Sequence, residues 1–134
     1  MAEQDNTNLV RQGYEDFKNG NIQAVLDKYA DSIEWHVPKM EGVPFSGTHR
    51  GKQAVGQFFA KLAEEQDVVQ FEPREFIAQN DKVVTLGHYI WRVKATGRQF
   101  ESDFAHVFTV RDGKIIRFQE YTDTFNAANA YKQS

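Results

Sequence analysis

From Lys82 to Thr122, apolar and polar side chains alternate through three long runs that break at Thr96-Gly97 and Asp112-Gly113. Alternation with a period of two, bounded by glycine turns, predicts a meander of three antiparallel strands. One face of it carries Tyr89, Trp91, Phe104, Phe108 and Phe118, interrupted by His106 and Glu120. Upstream, the period becomes helical. Thr7 is placed to cap a first helix whose stripe is Val10, Tyr14 and Phe17, with Leu9 and Gly13 alongside and Gly20 as its stop. Asn21 caps a second helix, in which Ile22, Val25, Leu26 and Tyr29 share one face. Ile33 to Val37 alternates as a short strand ended by Pro38, with Ile33, Trp35 and Val37 on its apolar side. Residues 39–51 hold Gly42, Pro44, Gly47 and Gly51 and read as an ordered loop, with Met40, Val43 and Phe45 as the apolar part of a lid. Gln53 to Glu65 returns to helical spacing, and Phe71 to Gln79 reads as an edge strand because Pro73 lacks an amide donor. A short last helix carrying Phe125 and Tyr131 follows Asp123. This order predicts a single α+β domain over residues 1–134, its curled antiparallel sheet covered on one side by three N-terminal helices.

Strand pairing turns the meander into a ruler. With Ala95 opposite Arg98, Trp91 meets Ser102, Tyr89 meets Phe104 and Gly87 meets His106, leaving space before the imidazole. Arg111 opposite Lys114 sets His106 beside Gln119, and a single bulge brings Glu120 onto the same face as His106, Phe104, Phe108, Ile116 and Phe118. The reverse face carries His88, Ile90, Arg92, Glu101, Asp103, Ala105, Val107, Ile115 and Arg117. Arg92 opposite Glu101 reads as a cross-strand ion pair. The apolar residues among these charges point to a second subunit covering the face, hence a homodimer.

Composition narrows the function classes. Sixteen basic against 19 acidic residues give a formal charge of -3 with no long basic block, which argues against nucleic acid and against a polybasic membrane anchor. There is no cysteine, so disulfides and thiolate chemistry are excluded. The start, MAEQDNTN, has neither a positive region nor an apolar core, and no apolar run reaches bilayer length, which predicts an untargeted cytoplasmic protein. The four histidines are dispersed without metal-ligand spacing, and phosphate-loop, dinucleotide and nucleophile-elbow motifs do not occur. No metal and no cofactor is expected.

The segments FKNGNIQAVLDKYADSIEWHVP, FSGTHRGKQAVGQFFAKL and DGKIIRFQEYTDT, in this order and spacing, resemble the nuclear transport factor 2-like superfamily, in its SnoaL-like and ketosteroid-isomerase-like branch. The resemblance spans nearly the whole chain. It implies an open cone of curved sheet and three helices around an apolar pocket, dimeric through the outer sheet face. That fold hosts isomerases, hydrolases, dehydratases, cyclases and non-catalytic binders, so function must be argued from the site. Steroid isomerases of the family use a base Asp, a Tyr and a protonated Asp. By resemblance, the base position falls on Val37, the Tyr position on Gly13 with Tyr14 one place along the helix, and the protonated Asp position on His106. Steroid isomerisation by that mechanism is therefore not expected.

His106 and Glu120 are the candidate catalytic pair, the imidazole moving a proton and the carboxylate orienting it. A buried pair that satisfies only itself is the competing reading. Trp35, Tyr89, Trp91, Phe104, Phe108, Phe118, Gly13, Tyr14 and Val37 are the candidate ligand-binding residues for a small, largely apolar molecule. Asp123 reads as a helix cap, His36 as a surface residue, and His49 and Arg50 as part of a solvated loop. Three functions stay open: a cofactor-independent isomerase, dehydratase, hydrolase or cyclase; a carrier without turnover; and a protein-interaction module.

Overall fold

The computed structural model describes residues 2–132. Helix α1 (Ala2–Lys18) ends where Gly20 takes a φ of +76°. Thr7 lies inside α1 rather than at its start, and its hydroxyl donates to the carbonyl of Glu3, so the expected cap is corrected to a bond back along the helix. Helix α2 (Ile22–Asp27) is capped by Asn21, whose side chain accepts from the Ala24 amide. It is two residues shorter than its apolar spacing predicts. Tyr29 opens strand β1 (Tyr29–Val37), because the helix already closes at Lys28.

Strand β2 (Gly47–Arg50) pairs antiparallel with β1, so the end of the expected loop 39–51 is a short edge strand. The intervening segment turns inward, burying Met40, Val43 and Phe45. Helix α3 (Lys52–Glu65) leads into β3 (Gln66–Gln79), and the meander follows as β4 (Lys82–Val93), β5 (Gln99–Arg111) and β6 (Lys114–Tyr121). Asp123 caps α4 (Thr124–Ala130) by accepting from the Asn126 amide. Phe125 on that helix is exposed.

The six strands run in the order β2-β1-β6-β5-β4-β3, antiparallel except for β1 beside β6. Parallel pairing there lets the N-terminal strand close against the end of the meander. Register shifts at Tyr29/Glu34, Val68/Gln70, Pro73/Glu75 and Thr109/Val110 add local twist, which curls the open sheet. Helices α1, α2 and α3 pack against it, with α1 on β3 and β4 and α3 on β1 and β2. The chain is thus an α+β cone, as expected.

Two details of the ruler change. The β4–β5 connection takes the five residues 94–98 rather than a two-residue turn, so every β4–β5 partner moves by two. Tyr89 meets Ser102, Gly87 meets Phe104, and Thr85 meets His106. Arg92 accordingly faces Gln99, not Glu101, and its guanidinium binds Asp67 at 2.6 Å. In β6, Ile115 pairs with Val110 and Arg117 with Thr109, which leaves Ile116 as the extra residue of a bulge. Ile115 is buried in consequence, whereas the expected inward residue Ile116 is not.

Candidate active site

Three elements bring the polar groups of the interior together. The bulge in β6 aligns Glu120 with His106 of β5, and the carboxylate Oε2 lies 2.9 Å from Nε2 of the imidazole. From α1, the Tyr14 hydroxyl reaches Nδ1 of the same ring at 2.7 Å. From β4, the Tyr89 hydroxyl donates to Thr122 Oγ1 at 2.5 Å and stands 3.4 Å from Glu120 Oε2. His106 is buried and sandwiched, its ring stacked 4.2 Å from Phe104 and approached by Phe118 at 4.8 Å.

Proton positions follow from what each group can do. An ionised carboxylate only accepts, so Nε2 carries the hydrogen that Glu120 receives. With the imidazole neutral, Nδ1 then accepts from Tyr14. Burial pushes the Tyr14 phenol well above its ordinary range and likewise raises that of Tyr89, so both keep their protons. Both imidazole nitrogens are engaged. Among the described residues, the second oxygen of Glu120, Oε1, takes no hydrogen bond.

These groups lie at one side of a cavity of about 110 Å³. Of the expected ligand-binding residues, Gly13, Tyr14, Trp35, Val37, Tyr89, Trp91, Phe108 and Phe118 line it, together with His106 and Glu120. Phe104 does not. Its ring fills the space beside Gly87, where a Cβ would lie 2.5 Å from Phe104 Cζ, and it backs the imidazole instead. The glycine therefore makes room for a core ring, not for a ligand before His106. Met40, Val43 and Phe45 add a wall from the segment between β1 and β2.

Sequence reading placed Tyr29 on a helix and missed it as a cavity residue. It is only 5% exposed, lines the cavity and packs 5.5 Å from Trp35. Its hydroxyl makes no hydrogen bond among the described residues. The Tyr-Ala-Asp-Ser-Ile run carries no alternation to signal this, because Asp31 shares the parity of Tyr29 and Ile33 and the strand is irregular between Tyr29 and Glu34. His49 donates from Nε2 to the Phe45 carbonyl, His36 bonds Thr48 and Glu34, and neither lines the cavity. Among the described residues, no group of three or more His, Cys, Asp or Glu could hold a metal ion, and no helix is long and apolar enough to cross a membrane.

A family model for the SnoaL-like domain matches residues 10–118. Among solved structures, an NTF2-like protein from Burkholderia xenovorans LB400 is 34% identical with a TM-score of 0.89, over 98% of this chain and 99% of that one. TerC, co-crystallised with polyporic acid, is 28% identical with a TM-score of 0.84, over 95% and 98% of the two chains. A candidate SnoaL-like polyketide cyclase from Mesorhizobium loti is 25% identical with a TM-score of 0.71, over 85% and 96%. No curated protein matches the chain.

Proposed function

The chain belongs to the SnoaL-like family of NTF2-like folds, and on that premise we propose that it is a cytoplasmic small-molecule protein that moves a proton on a largely apolar ligand without a cofactor. The observation that carries this reading is the hydrogen-bonded chain Tyr14–His106–Glu120 on the wall of a cavity otherwise lined by hydrocarbon and aromatic rings. A titratable pair held in such surroundings is the usual mark of acid–base chemistry. The free oxygen of Glu120 supports a role for that carboxylate as the group that takes and returns the proton. His106 then steadies the other oxygen through Nε2–H, and Tyr14 holds the imidazole in that tautomer. This allocation reverses the one that spacing alone favours, because an imidazole with both nitrogens engaged has no lone pair to offer a ligand.

The reaction would be an isomerisation or ring closure in which a C–H or O–H proton passes to Glu120 and is returned to the same molecule, or a dehydration or hydration in which Glu120 passes the proton from the ligand to the departing hydroxyl as water leaves, or from an added water to the ligand. Ligand-bound TerC and the cyclase-like relative support an organic ligand of this kind. Native mass spectrometry of the purified chain tests the proposal by looking for a copurified molecule, followed by turnover assays on it. Glu120→Gln should abolish turnover while leaving the molecule bound. Full turnover by that variant would refute the role of the carboxylate.

A second reading has its own support, since the polar chain is complete without a ligand. A carrier would bind with no turnover and with an affinity indifferent to Glu120→Gln. We also propose a homodimer through the outer sheet face, where Ile90, Ala105 and Val107 lie among His88, Arg92, Glu101 and Asp103. Sedimentation giving twice the chain mass, reduced to one by Val107→Glu, is the expected result. A protein-interaction module has less support, because the interior is neither filled nor wholly apolar.

A further inference from the structure

The hydrogen-bond inventory of the cavity says what kind of ligand it takes, if the cavity is a ligand site as proposed above. Most polar hydrogens that face it are already committed. Tyr14 gives its proton to His106 Nδ1, His106 gives one to Glu120, Tyr89 bonds Thr122, and the Gln66 amide donates to the Tyr131 hydroxyl at 2.9 Å. Tyr29 is the exception. Its hydroxyl is unpartnered among the described residues, and burial pushes its phenol well above the ordinary range, so it stays a donor. Beside it, the Trp35 indole N–H is also without a partner. A buried donor without an acceptor is uncommon in folded proteins, and the Trp35 N–H together with the unpartnered Tyr29 hydroxyl on the cavity wall calls for an acceptor that the chain itself does not supply.

Charge points the same way. Among the described residues, Glu120 is the one carboxylate on the cavity wall, and neither Lys nor Arg lines it. A ligand carboxylate or phosphate would enter a low-dielectric space facing a like charge and no cation, whereas an uncharged oxygen acceptor would meet the waiting donors. We infer that Tyr29 anchors a ligand carbonyl oxygen, and that the site selects uncharged carbonyl compounds over carboxylates of the same size. Tyr29 is thus a binding residue that fixes orientation, with Glu120 as the acceptor for the ligand's own acidic proton.

Single-ring probes are the largest to try first, since the cavity of about 110 Å³ is somewhat smaller than the engineered one of about 150 Å³ that holds benzene. Acetophenone, benzoate and toluene are titrated at pH 7.5 into the wild-type chain and into Tyr29→Phe, followed by tryptophan emission and by amide chemical shifts. One neutral hydrogen bond should let acetophenone bind roughly fivefold tighter than toluene. Benzoate should bind at least about tenfold more weakly than acetophenone, the cost of burying a charge without a partner. Tyr29→Phe should bring acetophenone down to toluene's affinity and leave toluene unchanged. Its melting temperature should match the wild type, because no internal bond is lost. An unchanged acetophenone-to-toluene ratio in Tyr29→Phe, or benzoate binding as well as acetophenone, would overturn the inference while leaving the ligand site standing. Failure of both toluene and acetophenone to bind the wild-type chain would overturn the ligand site and this inference together.

Discussion

Gly87→Ala separates a packing role for this glycine from a ligand role. The added Cβ would lie 2.3 Å from the Glu72 carbonyl oxygen and 2.5 and 2.8 Å from Cζ and Cε2 of Phe104. Favourable carbon contacts begin near 3.5 Å, so the ring is overlapped by about an ångström. Phe104 has nowhere to retreat, with its ring stacked 4.2 Å from His106, 5.1 Å from Tyr89 and 5.4 Å from Phe71. The remaining relief is for β3 to pull away from β4 where Pro73 faces Gly87, next to an existing register shift. Overpacking ordinarily costs about 1–3 kcal/mol, and with a backbone carbonyl and a wedged ring as obstacles the upper end, about 3 kcal/mol, is expected. An unfolding entropy near 2.1 cal/mol/K per residue then gives a fall in Tm of roughly 10 °C for this chain. Circular dichroism melts and urea midpoints read it directly. Gly13→Ala is the control: its Cβ would meet only Lys28 Cδ at 3.9 Å, in mid-helix, so a gain of about 0.5–1 kcal/mol is expected. A Gly87→Ala protein that melts with the wild type would refute the packing role and restore the glycine as space for a ligand.

His106→Ala removes the partner of both Tyr14 and Glu120 and should cost about 2–3 kcal/mol, leaving a folded chain that has lost turnover or tight binding; unchanged activity and affinity would contradict its place in the site. His106→Gln, which can still donate to Glu120, should recover part of the stability in the same melts. On the outer face, hydrogen bonds that His88 donates to Asp103 and then to Glu101, each at 2.8 Å, raise its imidazole above its ordinary range. A raised folded value means that the stabilisation is complete below about pH 6.5, the unfolded value, and fades as pH rises through the folded one. His88→Gln should therefore lose stability in acid more than at pH 9, and urea midpoints across that range that shift equally at every pH would argue against the charged pair.

The sheet was legible to the extent that its side-chain parity was. The β4–β5 register was misjudged by two residues, because the loop is longer than its Thr96-Gly97 core implies. An even slip keeps every side chain on its own face, so the expected inward row survived the error. An odd slip is what a bulge produces, and the one in β6 explains why Ile115 and Ile116 exchanged places while Phe118 and Glu120 did not. β2 escaped notice because four residues between glycines carry too little alternation to separate a strand from a loop. α2 was overextended for the opposite reason: Tyr29 continues its spacing by chance, and only the chain's turn at Lys28 decides against it.

The site was legible only along the sheet. His106 and Glu120 are 14 residues apart on adjacent strands, and pairing rules alone bring them together. Tyr14 is 92 residues from His106, and its contact depends on how α1 rotates and docks on β4, which no local spacing encodes. That missing contact changes the chemistry. Without Tyr14, the imidazole has a free nitrogen and looks like the proton carrier; with it, the imidazole is a bridge, and the free valence passes to Glu120. Roles in a proton-transfer site follow from which lone pairs remain uncommitted, a count that requires every neighbour. Here the neighbours from outside the meander, Tyr14 from α1 and Tyr29 from the start of β1, decide both which group can act on a ligand and which can hold it.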